Sequence, residues 1–489
     1  MPTDAFFAPE WVQHAVFYQI FPDRFAAAKH PQIPKPNNLE PWDAAPTSHG
    51  FKGGDLIGVL EHLDYLQDLG ITAIYFTPVF QSASNHRYHT HDYFQVDPLL
   101  GGDQALRRLI AEAHRRNIRI VLDGVFNHSS RGFFEFNHVL ECGAQSPYVD
   151  WFDIRGYPLN AYEGKPNYRC WWDLPALPEF NHANPQVRQF IYQVARYWLD
   201  EGIDGWRLDV PFCITEPGFW EGFRQECRTA NPQAYITGEI PWDARPWLQG
   251  DQFDGVMNYL LTYACWSFFG GKKMDRDLVG HWYEHGPEYF STEAADFARN
   301  VTSLLTFYPR PAVLSQLNLL DSHDTARFIS IVGGSQAMLR LATLFEMTYP
   351  GAPCVYYGNE VGVAGGQDPD CRRSFPWDES KWDHDLRAFF KQVIALRTAH
   401  PALRSGAFEV LHAAGEVVIY LRRLDEETFV VALNRSARTL HLDIPAGSLP
   451  EGAVLVNRLG SGEARVTGGK LAGLTLPPET GAVLECLKP

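Results

Sequence analysis

The sequence predicts an α/β fold: a (β/α)8 TIM barrel with an insertion subdomain after strand three and a C-terminal antiparallel β-sandwich. Three observations carry this. Eight short β-branched or aromatic runs alternate with longer amphipathic stretches. An irregular, aromatic-rich segment breaks the alternation once, at 129–183. Beyond about residue 405 the texture changes to short strands separated by "NRS", "PAGS" and "GSGE".

In chain order, "HAVFYQIF" (14–21) is the first strand, followed by a helix at "GVLEHLDYLQDLG" (58–70), where Val59, Leu60, Leu63, Leu66 and Leu69 share one face. "ITAIYFTPVF" (71–80) is a strand, "QALRRLIAEAHRRN" (104–117) a helix and "IRIVLDGVFNH" (118–128) the third strand. The helix "PQVRQFIYQVARYWLDEG" leads into "IDGWRLDV" (203–210), and "GFWEGFRQECRTANP" leads into "AYITGEI" (234–240). "FDGVMNYL" (253–260), "LSQLNLLDSHD" (314–324) and "APCVYYGNE" (352–360) complete the eight strands, and "DLRAFFKQVIALRTAH" closes the series. The expected domains are a barrel at 1–128 and 184–404, an insertion subdomain at 129–183 and a β-sandwich at 405–489. A doubly wound sheet is the competing fold, but no GxGxxG follows an early strand.

Composition narrows the function. A chain of 489 residues with 45% hydrophobic and 20% charged residues buries a large core. With 42 basic against 58 acidic residues the formal charge is -16, which argues against nucleic acid and anionic membrane surfaces and for a neutral substrate. No run is apolar and long enough to span a bilayer, and the start lacks the pattern of a secretory leader, so a cytoplasmic location is expected. The eight cysteines have no paired spacing and read as reduced structural thiols.

In a barrel of this kind, chemistry sits at the C-terminal ends of the strands. Strand three ends in Asp123, Asn127 and His128, strand four in Arg207 and Asp209, strand five in Glu239, and strand seven in His323 and Asp324. A lone Asp at such a place is more often a cap, and a lone His more often a satisfied structural group. Several strands ending in ionisable groups over clean apolar interiors outweigh those readings, because crowded carboxyls shift one another's pKa and so divide into donor and anion. The aromatics at 148–172, taken alone, read as the core of the insertion. A metal-dependent hydrolase finds some support in "NHRYHTHDY" (85–93), with His86, His89 and His91, but the strand ends favour carboxylate. No GxSxG elbow is present. Glycoside hydrolysis needs two carboxylates and aromatic platforms, and 14% of the chain is aromatic.

The ordered set "DGVFNH" (123–128), "GWRLDV" (205–210), "GEI" (238–240) and "LLDSHD" (319–324) closely resembles the four short motifs of the α-amylase superfamily of retaining glycoside hydrolases, over about residues 11–400. Finer features are similar to the neopullulanase, cyclomaltodextrinase and maltogenic amylase branch: "VFYQIFPDRF" (16–25), "YFTPVFQSASNHRYHTHDYFQVDP" (75–98), "LPEFNHANPQV" (177–187) and "YYGNEVGVAGGQDPDCRRSFPWD" (356–378). The resemblance implies Asp209 as nucleophile, Glu239 as acid and base, and Asp324 as the third catalytic carboxylate. It implies that Arg207 holds Asp209 ionised, that His128 and His323 hydrogen-bond the sugar, that Tyr88 stacks beneath it, that Asp368 and Arg372 contact the next sugar, and that Asp123 mainly supports this network. The implied substrates are maltooligosaccharides, cyclodextrins or pullulan, cut at α-1,4 bonds with retention, and the resemblance leaves open transfer to other sugars beside hydrolysis.

Departures leave some points open. His89 stands where the branch commonly has Asp, and "EIPWD" has Pro241 where an aromatic is common, with Trp242 one place later. The first barrel strand starts almost at once, where the branch often has an extra β domain, so oligomeric state and ring-opening preference stay open. No cofactor is required by this reading and no metal ligand set is assigned. Calcium is left open: Asn127 matches a ligand position and "GGD" (53–55) remains, but "FAAAKHPQIPKPNN" lacks the Asn/Asp spacing of the N-terminal calcium loop. The alternatives are a trehalose-forming or sucrose-acting transferase or isomerase of the same superfamily and, further off, a non-catalytic carbohydrate-binding barrel.

Overall fold

Eight parallel strands form the ring on which the site is built: β1 (Phe17–Ile20), β2 (Ala73–Phe76), β3 (Arg119–Gly124), β4 (Gly205–Leu208), β5 (Tyr235–Gly238), β6 (Gly255–Val256), β7 (Leu317–Leu319) and β8 (Ala352–Tyr356). Pairing runs β6-β5-β4-β3-β2-β1-β8-β7, and a parallel bridge between Met257 and Leu317 closes it. The structure is a computed structural model that describes residues 6–29 and 33–487. Residues 1–5 and 488–489, at the ends of the expected domains, and 30–32, in the segment after Arg24, lie outside the described residues.

All eight expected strands are present, and the differences are local. The helix expected at 58–70 is two, Leu56–Glu61 and Leu63–Leu69, broken at His62, whose Nδ1 bonds back to the Gly58 carbonyl at 2.7 Å. The run 71–80 stops as a barrel strand at Phe76, since Pro78 has no N–H to continue a ladder. Phe80–Ser82 then pairs antiparallel with Thr90–Val96, and this hairpin carries Tyr88. Only Gly255 and Val256 of 253–260 are strand; the fully buried helix Tyr259–Gly270 begins straight after. Strand β4 shows how one sequence serves two faces: Trp206 packs outward, with Nε1 on the Ala195 carbonyl at 3.3 Å, while Arg207 points inward. At Gly205 a Cβ would sit 2.3 Å from the Tyr235 carbonyl oxygen, so only glycine lets β4 and β5 approach.

Between β3 and the helix Pro185–Asp200, the inserted segment folds on its own aromatic core of Phe133, Trp151, Phe152, Tyr168 and Phe180, pinned to the barrel by a bridge between His128 and Glu179. Beyond the helix Pro401–Ser405, eight antiparallel strands form one continuous sheet, folded so that its two outer strands, Ala407–Ala414 and Leu440–Pro445, touch. Strand Val417–Leu424 is buried on both faces. Val418 and Tyr420 pack on the barrel side, and Val417, Ile419 and Leu421 pack inside the sheet. No helix among the described residues is long and apolar enough to cross a membrane, and all eight cysteines are unpaired.

Candidate active site

The C-terminal mouth of the barrel gathers the ionisable groups around one guanidinium. Arg207, fully buried on β4, places Nη1 3.0 and 2.9 Å from the two oxygens of Asp123 and 3.0 Å from Asp209 Oδ1. Its Nη2 lies 3.0 Å from Glu239 Oε2. Three strands, β3, β4 and β5, therefore each deliver one carboxylate to the same cation. Immediately after Asp209, Val210 adopts a left-handed backbone (φ 37°, ψ 47°), rare for a β-branched residue, and its N–H donates to Glu239 Oε2 at 3.2 Å.

Across the mouth, Asp324 follows β7 and pairs with Arg372 Nη2 at 3.4 Å, while Arg372 Nη1 pairs with Asp368 at 2.9 Å. Arg372 also donates from Nε to the His323 carbonyl at 2.8 Å and lies over the Phe21 ring. Tyr88, at the hairpin, donates to Asp123 Oδ2 at 2.9 Å and meets His323 Nε2 at 2.6 Å, its ring parallel to the imidazole. The hairpin is anchored by the buried Arg87–Asp97 pair at 3.0 Å. The Asp209 and Glu239 side chains are 9% and 12% exposed, whereas that of Asp324 is 27% exposed.

Burial raises the carboxyls together, because taking an anion out of water favours the acid form. Asp209 is pushed well above the usual range, with Glu239, Asp123 and Asp324 adding to the effect of burial and Arg207 opposing it. Glu239 and Asp324 are raised by burial as well, and Asp123 is raised to about 6. Arg207 and Arg372 are two cations set among four carboxyls, so each acid's charge raises the pKa of its neighbours. His128 is pushed down to about 3 and His323 well below its ordinary value, both by burial, which keeps both rings neutral.

Tyr88, Asp123, Arg207, Asp209, Glu239, His323, Asp324, Asp368 and Arg372 thus lie at one mouth, and the contacts of three of them add to what the resemblance implies. Arg207 holds Asp209 and is divided among three carboxylates, Asp123, Asp209 and Glu239. Asp123 exposes no side-chain surface and, among the described residues, bonds Arg207, Tyr75 and Tyr88, an arrangement in keeping with the supporting role the resemblance implies. The His323 side chain is equally covered, its Nδ1 facing Gln19 Nε2 at 2.7 Å and its Nε2 facing Tyr88 and Asp324, so it orients those two groups. Gln19 and Tyr75 were not foreseen; a glutamine inside the apolar strand "FYQI" was the available signal. Phe212 and Trp242 pack at 4.6 Å between ring centres on the β4 and β5 side of the mouth.

In the loop after β1, where the resemblance places the N-terminal calcium loop, lysines occupy the oxygens the ion would use. Lys35 Nζ donates to the Gly53 carbonyl at 2.7 Å and to Asp55 Oδ2 at 3.0 Å. Asp55 is otherwise spent on the Gly58 and Ala28 N–H groups. In the same loop Lys52 Nζ donates to the Pro41 and Ala44 carbonyls at 2.8 and 2.7 Å, with Glu40 at 3.2 Å. Ammonium groups therefore hold the hard oxygens that a divalent ion needs. Among the described residues, no group of three His, Cys, Asp or Glu side chains is arranged to hold a metal.

Comparison with known proteins agrees with this geometry. Residues 19–405 match the alpha amylase catalytic domain, and residues 406–484 the alpha-amylase C-terminal domain. A cyclomaltodextrinase from Bacillus sp. is 45% identical, covering 88% of this chain and 75% of its own. Neopullulanase 2 from Thermoactinomyces vulgaris is 41% identical, covering 99% and 79%. The crystal structure of a debranching enzyme from Nostoc punctiforme superposes with a TM-score of 0.90 at 48% identity, covering 98% of this chain and 100% of that one. Fold, mouth and sequence together place the chain in the α-amylase family.

Proposed function

We propose that the protein is a retaining α-glucan hydrolase that cuts α-1,4-glucosidic bonds of maltooligosaccharides, cyclodextrins or pullulan. The observation that carries this reading is the division of Arg207 between Asp209 and Glu239, with Asp324 opposite on Arg372. Anchoring two carboxylates to one guanidinium keeps them close, as a covalent route requires. In the first step Asp209 attacks the anomeric carbon, the glycosidic C–O bond breaks, and Glu239 gives its proton to the leaving oxygen. In the second step water attacks the same carbon, Glu239 takes back a proton, and Asp209 leaves, so the configuration is retained. Asp324, the most exposed acid of the three, is placed to grip hydroxyls of the distorted sugar. Burial raises the pKa of Glu239, the direction a proton donor needs, while Arg207 opposes the same effect at Asp209.

No step needs calcium in this reading, and the lysine-capped loop supports that. A cytoplasmic location is supported by eight unpaired thiols and by a relative named an intracellular maltogenic amylase. The test is a product profile from maltotriose, γ-cyclodextrin, pullulan and sucrose, with Asp209→Asn as control. Maltose and glucose from the first two and panose from pullulan are expected with the wild type alone. Maltotriose from pullulan indicates α-1,6 cleavage instead, and products from sucrose alone indicate the transferase class.

A further inference from the structure

The insertion is not only a core. Its inner aromatics are covered, but Trp172 is 76% exposed, and its ring lies flat on Trp171 at 4.4 Å and 8°. Trp171 in turn stacks on His128 at 5.3 Å and 24°, and His128 sits at the end of the chain segment that leaves β3 for the mouth. An isolated exposed indole needs no explanation. This one is the outer step of a three-ring stair that starts at a buried histidine whose Nε2 has no hydrogen-bond partner.

The backbone holds the stair in place. Trp172 and Asp173 both have left-handed conformations, φ 52° and 56°, which cost a non-glycine residue stability. Four hydrogen bonds fix the turn: Trp171 N–H to the Leu177 carbonyl, Asp173 N–H to Cys170, Leu174 N–H to Trp171 and Leu177 N–H to Leu174. Strain of this kind persists only where surrounding structure enforces it, and here it presents an indole to solvent two stacked rings out from His128.

We propose that Trp172, backed by Trp171, is an outer binding platform for a glucosyl ring of the glucan chain beyond the cleavage point. This inference rests on the glucan-hydrolase reading above. The C–H face of a glucose ring stacks on an indole without needing charge, as a neutral substrate requires. Only substrates long or wide enough to reach from the carboxylates to the insertion benefit, so Trp172 sets preference by size.

The test compares Trp172→Ala and Trp172→Phe with the wild type on maltotriose, maltoheptaose and γ-cyclodextrin, with thermal unfolding as a control. The alanine variant is expected to lose on the order of tenfold in kcat/KM for maltoheptaose and γ-cyclodextrin, mainly through KM. Maltotriose is expected to be unaffected, Phe to restore most of the loss, and the melting temperature to stay unchanged. An equal loss on maltotriose, or no loss on the large substrates, overturns the platform while leaving the hydrolase reading intact. A wild type that cleaves none of the three removes the hydrolase reading itself, and the platform with it.

Discussion

Strand β4 carries a carboxylate at each end, and the two are managed in opposite ways. At the lower end, Asp204 accepts from the Ile120 N–H at 2.8 Å, from His114 Nε2 at 2.7 Å and from Arg119 Nη1 at 2.7 Å. Every strong donor there serves one acid. At the upper end, Asp209 has one guanidinium contact and shares it with Asp123 and Glu239. The lower end is saturated and ties β3 to β4; the upper end is under-supplied, and its acids compete for charge. Asp254 repeats the lower pattern beneath β6, with Arg224, Arg228 and the Ile236 N–H all donating to it. Stability and chemistry thus occupy opposite ends of the same strands, and what separates them is the number of donors per acid.

This contrast can be broken from either end. The largest effect is expected at the top: Asp209→Asn should lose roughly 10⁴-fold or more of kcat while unfolding no earlier than the wild type, since it removes one of several competing anions. Steady-state rates on γ-cyclodextrin and a thermal melt check both halves. Next, Asp204→Ala should cost about 1–3 kcal/mol of stability in urea, because it leaves the buried Ile120 N–H without an acceptor while the half-exposed His114 and Arg119 turn to water. Its kcat per folded molecule should stay near wild type. If Asp204→Ala proves the inactive one and Asp209→Asn the unstable one, the division between the ends is wrong.

A third change sharpens the upper end. Asp123 raises the pKa of Asp209 by its charge and draws on the same arginine. Asp123→Asn should therefore lower the Asp209 pKa, and because the ionised form of Asp209 is the active one, the acid limb of kcat/KM should move to lower pH. A pH profile showing an unmoved or upward limb contradicts the shared-guanidinium account. The smallest effect concerns the loop after β1: EDTA or added calcium should shift the wild-type melting temperature by less than about 1 °C, as expected of oxygens already held by Lys35 and Lys52. Lys35→Gly should lower it and make it respond to added calcium, since Gly53 and Asp55 then lack their cation.

Much of this was legible in the sequence, for a physical reason. Barrel strands alternate inward and outward residues, so Arg207 and Asp209, two apart, had to share a face, and "GWRLDV" announced both the strand and its cargo. Asp204 looked the same as Asp209 by residue type; only its place before the strand distinguishes anchor from catalyst. The three-way division of Arg207 was hidden because it depends on the register of β3, β4 and β5, where Asp123 pairs with Arg207 and Leu208 with Gly238. The lysine caps were hidden too, because an ammonium's partners are backbone carbonyls set by the path of a loop. Trp172 read as core, since an exposed indole in a segment full of buried ones carries no periodic signal.

The central claim is that Asp209, and no other acid at the mouth, forms the covalent bond to sugar. Brief reaction with a slow-turnover fluorinated α-glucosyl fluoride, followed by proteolysis and mass spectrometry, tests it directly. The account predicts a single glucosyl adduct on the peptide carrying Asp209, absent in Asp209→Asn. An adduct on Glu239 or Asp324, or rapid turnover of γ-cyclodextrin by Asp209→Asn, would contradict it.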